Sequence, residues 1–238
     1  MTEWRVYLNG SEENLSVLAK ESDAEWSVRR DAERFYLTHI GWTKLAAGTE
    51  ARNFAEVLLD RINLVKSFLT TPTASWEPVW FGEIQFVNDL NEMICCQISI
   101  DWGVPIGWGG TPNNPMFSPN NPMFSEELPP VAQWVRAMAE NHDLVDAMRI
   151  LRDHGNNWTQ ICNVIELVES AHNGAIPSAW ASATRLKRLK HTANCRSTAG
   201  DTARHMSGQG KPPKHPMGLL EARAITQSII LRWVKGMG

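Results

Sequence analysis

An α+β fold, with a small N-terminal sheet and packed helix followed by an all-α bundle of four to five helices, is what this sequence predicts. Three observations predict it. Apolar and polar residues alternate in WRVYLNG at the start of the chain. Apolar residues recur at three- and four-residue steps across 50–69. The same helical period returns from Val131 onward, after a stretch rich in Gly, Pro, Asn and Ser. The chain divides accordingly into an α+β domain over 1–103, a Pro/Asn/Gly-rich linker over 104–130 and a helical domain over 131–238. With 238 residues, 43% of them hydrophobic, it is long enough to give each domain a core.

In chain order, WRVYLNG reads as a strand before a turn, LSVLAKE as a short helix, and SVRRDAERFYLTHIGW as a hairpin rich in aromatic and β-branched residues. Over 50–69, Phe54, Val57, Leu58, Ile62, Val65 and Leu69 form one expected buried stripe, in a helix that stops before Thr71-Pro72. VWFGEIQFV and EMICCQISIDW supply two more strands around a turn at 88–91.

Within the linker PNNPMFS occurs twice in tandem, at 112–118 and 119–125. A duplication without hydrophobic period fits an insertion in a surface loop, where extra length costs little; a short motif shown twice to a partner is the competing reading.

Five helices are expected after it. Val131, Trp134, Val135 and Met138 mark the first; Leu144, Val145, Met148 and Leu151 the second, stopping at Gly155-Asn156. Trp158, Ile161, Cys162, Ile165, Leu167 and Val168 mark the third, ending at Asn173-Gly174. The fourth runs from Trp180 to about Lys190, and the fifth over 217–234 with Leu220, Ala224, Ile225, Ile229, Leu231 and Trp233.

Composition excludes several function classes. The sequence has no run of 18 apolar residues and no basic-then-apolar leader pattern, so a cytoplasmic location without membrane contact is expected. Cys95, Cys96, Cys162 and Cys195 show no CxxC spacing and read as reduced thiols. There is no GxxxxGK[ST], GxSxG or HExxH, and Gly107, Gly109 and Gly110 precede no strand-to-helix transition; no cofactor and no metal are expected. His142 and His154 with Asp143, Asp146 and Asp153 are explained as helix-end residues. Eleven tryptophans, scattered from Trp4 to Trp233, suit anchors of several core regions.

Charge points to one stretch. The net charge is −3, yet residues 178–215 hold eight basic side chains (Arg185, Lys187, Arg188, Lys190, Arg196, Arg204, Lys211, Lys214) and a single acid, Asp201. The end of the fourth helix and the residues after it, RLKRLKHTANCRSTAGDTARH, carry only small apolar residues and are expected to stay outside the core. Cations at a helix C-terminus are favoured by its dipole, which explains part of this basicity. Capping does not require His191, Asn194, Arg204 and His205. Arginine offers a donor fork for phosphate and histidine titrates near neutrality, so these four with Arg185 are candidate catalytic residues for a phosphodiester. Arg188, Lys190 and Arg196 are candidate nucleic-acid contacts.

The helical arrangement, with a polar motif of arginine, asparagine and histidine before a last amphipathic helix at EARAITQSIILRW, resembles the HEPN superfamily of bacterial defence and toxin proteins. The resemblance covers roughly 131–235. Its motif is an arginine, a polar residue and, four to six residues after the arginine, a histidine. Arg185 and His191 match that spacing, whereas Leu186 stands where the polar residue belongs and His205 comes directly after Arg204. The TAN…ARH…PM arrangement also resembles a feature recurrent among bacterial proteins of no assigned activity. The resemblance implies a dimer that cuts RNA without metal. The function expected is therefore a bacterial protein, defence- or toxin-related, whose helical domain binds or cleaves RNA or binds a nucleotide. The alternative is a non-enzymatic interaction module that contacts a protein partner or a second copy of itself.

Overall fold

A computed structural model describes residues 3–45, 47–69, 76–88, 90, 93–95 (backbone), 128–204 and 211–237. The PNNPMFS duplication, Cys96, the three linker glycines and His205 lie outside the described residues. These residues form an α+β protein, an N-terminal antiparallel sheet followed by helices. They fall into two compact units. The first takes residues up to Ser67, the described part of 76–95, and Pro130–Val135; the second takes Phe68, Leu69, 128–129 and everything from Arg136 onward.

In the first unit, β1 (Glu3–Asn9), α1 (Glu12–Lys20), β2 (Trp26–Asp31), β3 (Arg34–His39), a 3-10 turn (Ile40–Lys44), α2 (Gly48–Leu69), β4 (Trp80–Val87) and β5 (Met93–Cys95) succeed one another. The sheet order is β2-β3-β1-β4-β5, with every neighbouring pair antiparallel. Val28, Leu37, Val6 and Ile84 are aligned across four strands by register and are almost fully buried. Side chains alternate along a strand, so the opposite face carries Arg5, Tyr7, Tyr36 and Arg34. There the Arg34 guanidinium lies 3.8 Å from the Tyr7 ring centroid and Arg5 lies 4.7 Å from that of Tyr36, with Asp31, Glu3 and Glu83 pairing the arginines. The outer edge at β2 is closed locally: Val28 N–H donates to Ser22 Oγ (2.9 Å) and Trp26 N–H to Asp23 Oδ1 (3.0 Å).

Helix α2 is tied to the approach to β4 by Asn63, whose Nδ2 donates to the Val79 carbonyl (2.7 Å) while its Oδ1 accepts from Val79 N–H (2.9 Å) and Trp76 Nε1 (3.2 Å). Its buried stripe differs from expectation. Ala51, Ala55, Leu58, Leu59, Ile62 and Val65 face inward, whereas Phe54 and Val57 are 42% and 51% exposed. Hydrophobicity alone ranks Phe above Ala, but two alanines on the inward face allow a close approach that a bulkier residue would prevent.

The second unit is helical: α3 (Val131–Glu140, its first turn in the first unit), α4 (His142–His154), α5 (Trp158–Ala171), α6 (Ala183–Ala193), the single turn α7 (Arg196–Ala199) and α8 (Leu219–Lys235). Asn141 and Asn157 cap α4 and α5 by accepting backbone N–H groups through their side chains. Helix α8 is buried nearly all round, from Ala222 to Val234, although Leu220, expected in its stripe, is 70% exposed. It carries Arg223 inside, where burial pulls the guanidinium down to about 10 and Nη1 donates to Asn156 Oδ1 (3.0 Å). Among the described residues no helix is long and apolar enough to cross a membrane.

Candidate functional site

Helix α6 begins three residues later than expected, because Ser182 rather than Ser178 caps it: the Ser182 hydroxyl accepts from Arg185 N–H (3.3 Å). It also ends three residues later, at Ala193. The sequence expectation that the basic tract lies wholly outside the core is corrected by the structure. Leu189, Thr192, Ala193 and Cys195 are buried, as are Ala199 and Ala203 in the turn after them. Leu189 together with small residues at helical spacing suffices for burial when the neighbouring elements come close.

Three of the eight cations of this tract are matched by acids from other helices and a fourth by Asp201 of the tract itself. Arg188 makes a fork with Glu221 of α8 (both contacts 3.1 Å) and donates to the carbonyls of His215 (2.8 Å) and Pro216 (3.1 Å), which fixes the approach to α8. Lys190 holds both oxygens of Glu169 (2.6 and 2.7 Å), Arg204 pairs with Glu166, and Arg196 lies 3.7 Å from Asp201. The linear concentration of positive charge is thus offset at four of its eight cations.

A cavity of about 500 Å³ remains beside α6. Its helical wall is Lys187, Lys190, His191 and Asn194, spaced so that they share one face. The opposite wall is the 172–182 segment, with Ile176 and Ser178, and Glu169 projects from the end of α5. That segment is held in place from both ends. Asn173 and Gly174 turn the chain out of α5 with φ of 57° and 87°. The His172 ring donates from Nδ1 to the Val168 carbonyl (2.9 Å) and stacks edge-on against Trp180 and Trp233. Arg232 Nη1 donates to the carbonyls of Ala179 (2.6 Å) and Trp180 (2.7 Å).

Asn194 Oδ1 is covered by protein, with no surface open to the cavity, and accepts no hydrogen bond among the described residues. Lys187 is exposed and makes no ion pair among the described residues. His191 donates from Nε2 to the Lys211 carbonyl (3.0 Å), so in the neutral ring Nδ1 is the proton acceptor. Cys162 offers no nucleophile at neutral pH, since burial pushes its thiol up to about 11. Among the described residues no group of three or more His, Cys, Asp or Glu is placed to hold a metal ion.

Of the candidates from sequence, Lys190, His191 and Asn194 come together here. Arg185 does not: six residues from His191, it lies about 120° round the helix and about 9 Å along it. Arg188, Arg196 and Arg204 are engaged in the ion pairs above. Lys187, Glu169 and Ser178 join the cavity without having been marked by sequence as site residues. The spacing of Lys187, Lys190, His191 and Asn194 is a legible signal only once the helix is carried beyond Lys190. Compared with family models, curated proteins and solved structures, the chain matches none, so the functional reading rests on this cavity.

Proposed function

We propose that the helical unit binds a phosphate-bearing ligand, a nucleotide or an RNA chain, in the cavity along α6. The observation that carries this is the single helix face bearing Lys187, Lys190, His191 and Asn194 over a cavity of about 500 Å³, the size of ordinary small-ligand sites. Lys190 is neutralised by Glu169, which leaves Lys187 to attract an anion. Ligand affinity for inorganic pyrophosphate, read by calorimetry, is expected to fall steeply with added salt and to drop about tenfold in Lys187→Ala. No detectable pyrophosphate binding at low salt would sink the proposal.

In the ribonuclease form of this reading, taken from the HEPN resemblance, His191 Nδ1 accepts the proton of the ribose 2′-hydroxyl as that oxygen bonds to the adjacent phosphorus, the P–O5′ bond breaks with water protonating the leaving oxygen, and Arg185 of a second copy contacts the phosphate. RNA cleavage in excess chelator, lost in His191→Ala and in Arg185→Ala, is the expected result. RNA left intact by the purified chain removes the nuclease and leaves binding. A bacterial defence or toxin role belongs to this form alone, and a growth assay on expression checks it.

The second reading is a non-enzymatic interaction module. It is favoured by the exposed apolar side chains Ile40 (68%), Phe54 (42%) and Val57 (51%) of the first unit. Salt-independent association abolished by Phe54→Ser would support it over the phosphate site.

A further inference from the structure

We infer that the ligand of the α6 cavity is a phosphate monoester of a flat apolar ring, and that the ring enters the slot between Leu186 and Ile176. This rests on the phosphate-ligand reading above and names the other half of the molecule. A phosphate accounts for Lys187 but not for the rest of the lining. Ala183 and Leu186 stand one turn apart on the lining face of α6, and Ala175, Ile176 and Ala181 belong to the facing segment. Most of the lining surface open to water is apolar. Ala183 is exposed and Leu186 only half-buried, so the cavity keeps in water an apolar wall that a ring would cover. A sugar placed there would turn its hydroxyls toward side chains that offer no hydrogen bond, at a cost in desolvation.

Cation and apolar wall lie within reach of one small molecule. Lys187 follows Leu186 directly, about 100° round the helix, and both line the cavity. A ring against Leu186 therefore carries its phosphate to the Lys187 ammonium. Lys190 holds both oxygens of Glu169 (2.6 and 2.7 Å), which keeps that carboxylate from opposing the phosphate. The facing wall is set before any ligand arrives: His172 packs edge-on against Trp180 at 4.6 Å, and Arg232 donates to the carbonyls of Ala179 and Trp180. Fixed walls favour a rigid planar group over a flexible chain, because less rotational freedom is lost on binding. The volume of about 500 Å³ takes such a ring together with its phosphate.

Phenyl phosphate and ribose 5-phosphate carry the same charged group on an apolar and a polar body, and their binding is compared by calorimetry on the full chain at low salt. The expected result is roughly tenfold tighter binding of phenyl phosphate. Leu186→Asn is expected to remove that preference and leave pyrophosphate affinity unchanged, while Lys187→Ala weakens both monoesters equally. Given the preference, AMP at or above the affinity of phenyl phosphate supports the proposal with a nucleobase as the ring; AMP below it supports a ring esterified directly. Equal affinity of the intact chain for phenyl phosphate and ribose 5-phosphate overturns the ring, and that comparison needs no variant to fold. A preference that survives Leu186→Asn, with circular dichroism unchanged, overturns the slot as its seat. If pyrophosphate binds and phenyl phosphate gains nothing over ribose 5-phosphate, the phosphate site stands without the ring. If none of them binds, both readings fail.

Discussion

At the scale of single residues, the structure separates side chains that hold the fold from those left to act. Arg188 is a candidate nucleic-acid contact by sequence, yet its donors are taken by Glu221 and by the carbonyls of His215 and Pro216. Arg188→Ala is expected to cost about 1 kcal/mol in urea unfolding, since the two carbonyl bonds are exposed and the pair with Glu221 is only partly buried. Pyrophosphate affinity is expected to change little in that variant. In the β2–β3 hairpin, Ala32 has φ 52°, a conformation glycine adopts more readily. Ala32→Gly should therefore stabilise the chain by about 0.5–1 kcal/mol, measured by the same unfolding curve.

His39 gives the residue-scale pH dependence. Desolvation by burial lowers it below the ordinary histidine value, against the opposing pull of Glu25 and Asp23. Its Nδ1 accepts from Gly41 N–H (2.9 Å), and its ring lies against Phe54 and Trp42, so the folded state holds it neutral. The unfolded chain then binds more protons on acidification. Stability is fully present above about pH 6.5 and is lost as pH falls through the lowered folded value. His39→Gln is expected to flatten that part of the stability profile. An unchanged slope between pH 7 and 5 would contradict it.

At the scale of elements, helix identity is legible in the sequence and helix limits are less so. The stripes of α4 and α5 and their asparagine caps stand in the sequence, because period and capping are local properties. The start of α6 is ambiguous there because Pro177-Ser178 and Ser182 both offer start signals, and only the Ser182 hydroxyl reaches a backbone N–H. Ser182→Ala should cost about 1 kcal/mol of stability and lower the affinity of the cavity, one wall of which that helix forms. The α2 stripe departs from the sequence pattern at Phe54 and Val57, since which of two apolar rows faces in depends on what each must touch. Helix α7 and the 3-10 turn Gly200–Thr202 carry no periodic signal at all, being too short to show one.

At the scale of the whole molecule, two compact units, each with its own buried apolar side chains, imply unfolding that is not a single two-state step. Scanning calorimetry is expected to give a calorimetric enthalpy larger than the van't Hoff enthalpy; equality of the two would refute this. By itself the sequence determined the class of fold, the order of strands and helices, and the existence of a basic tract after α5, because alternation, helical period and composition are written along the chain. Only the tertiary structure decided which part of that tract is left to act. Glu166, Glu169 and Glu221 stand far along the chain from the cations they meet, so pairing could not be read from linear charge. Once those pairs are formed, the exposed lysines of the tract that make no ion pair among the described residues are Lys187, on the face of α6 that lines the cavity, and Lys211 and Lys214, on the approach to α8.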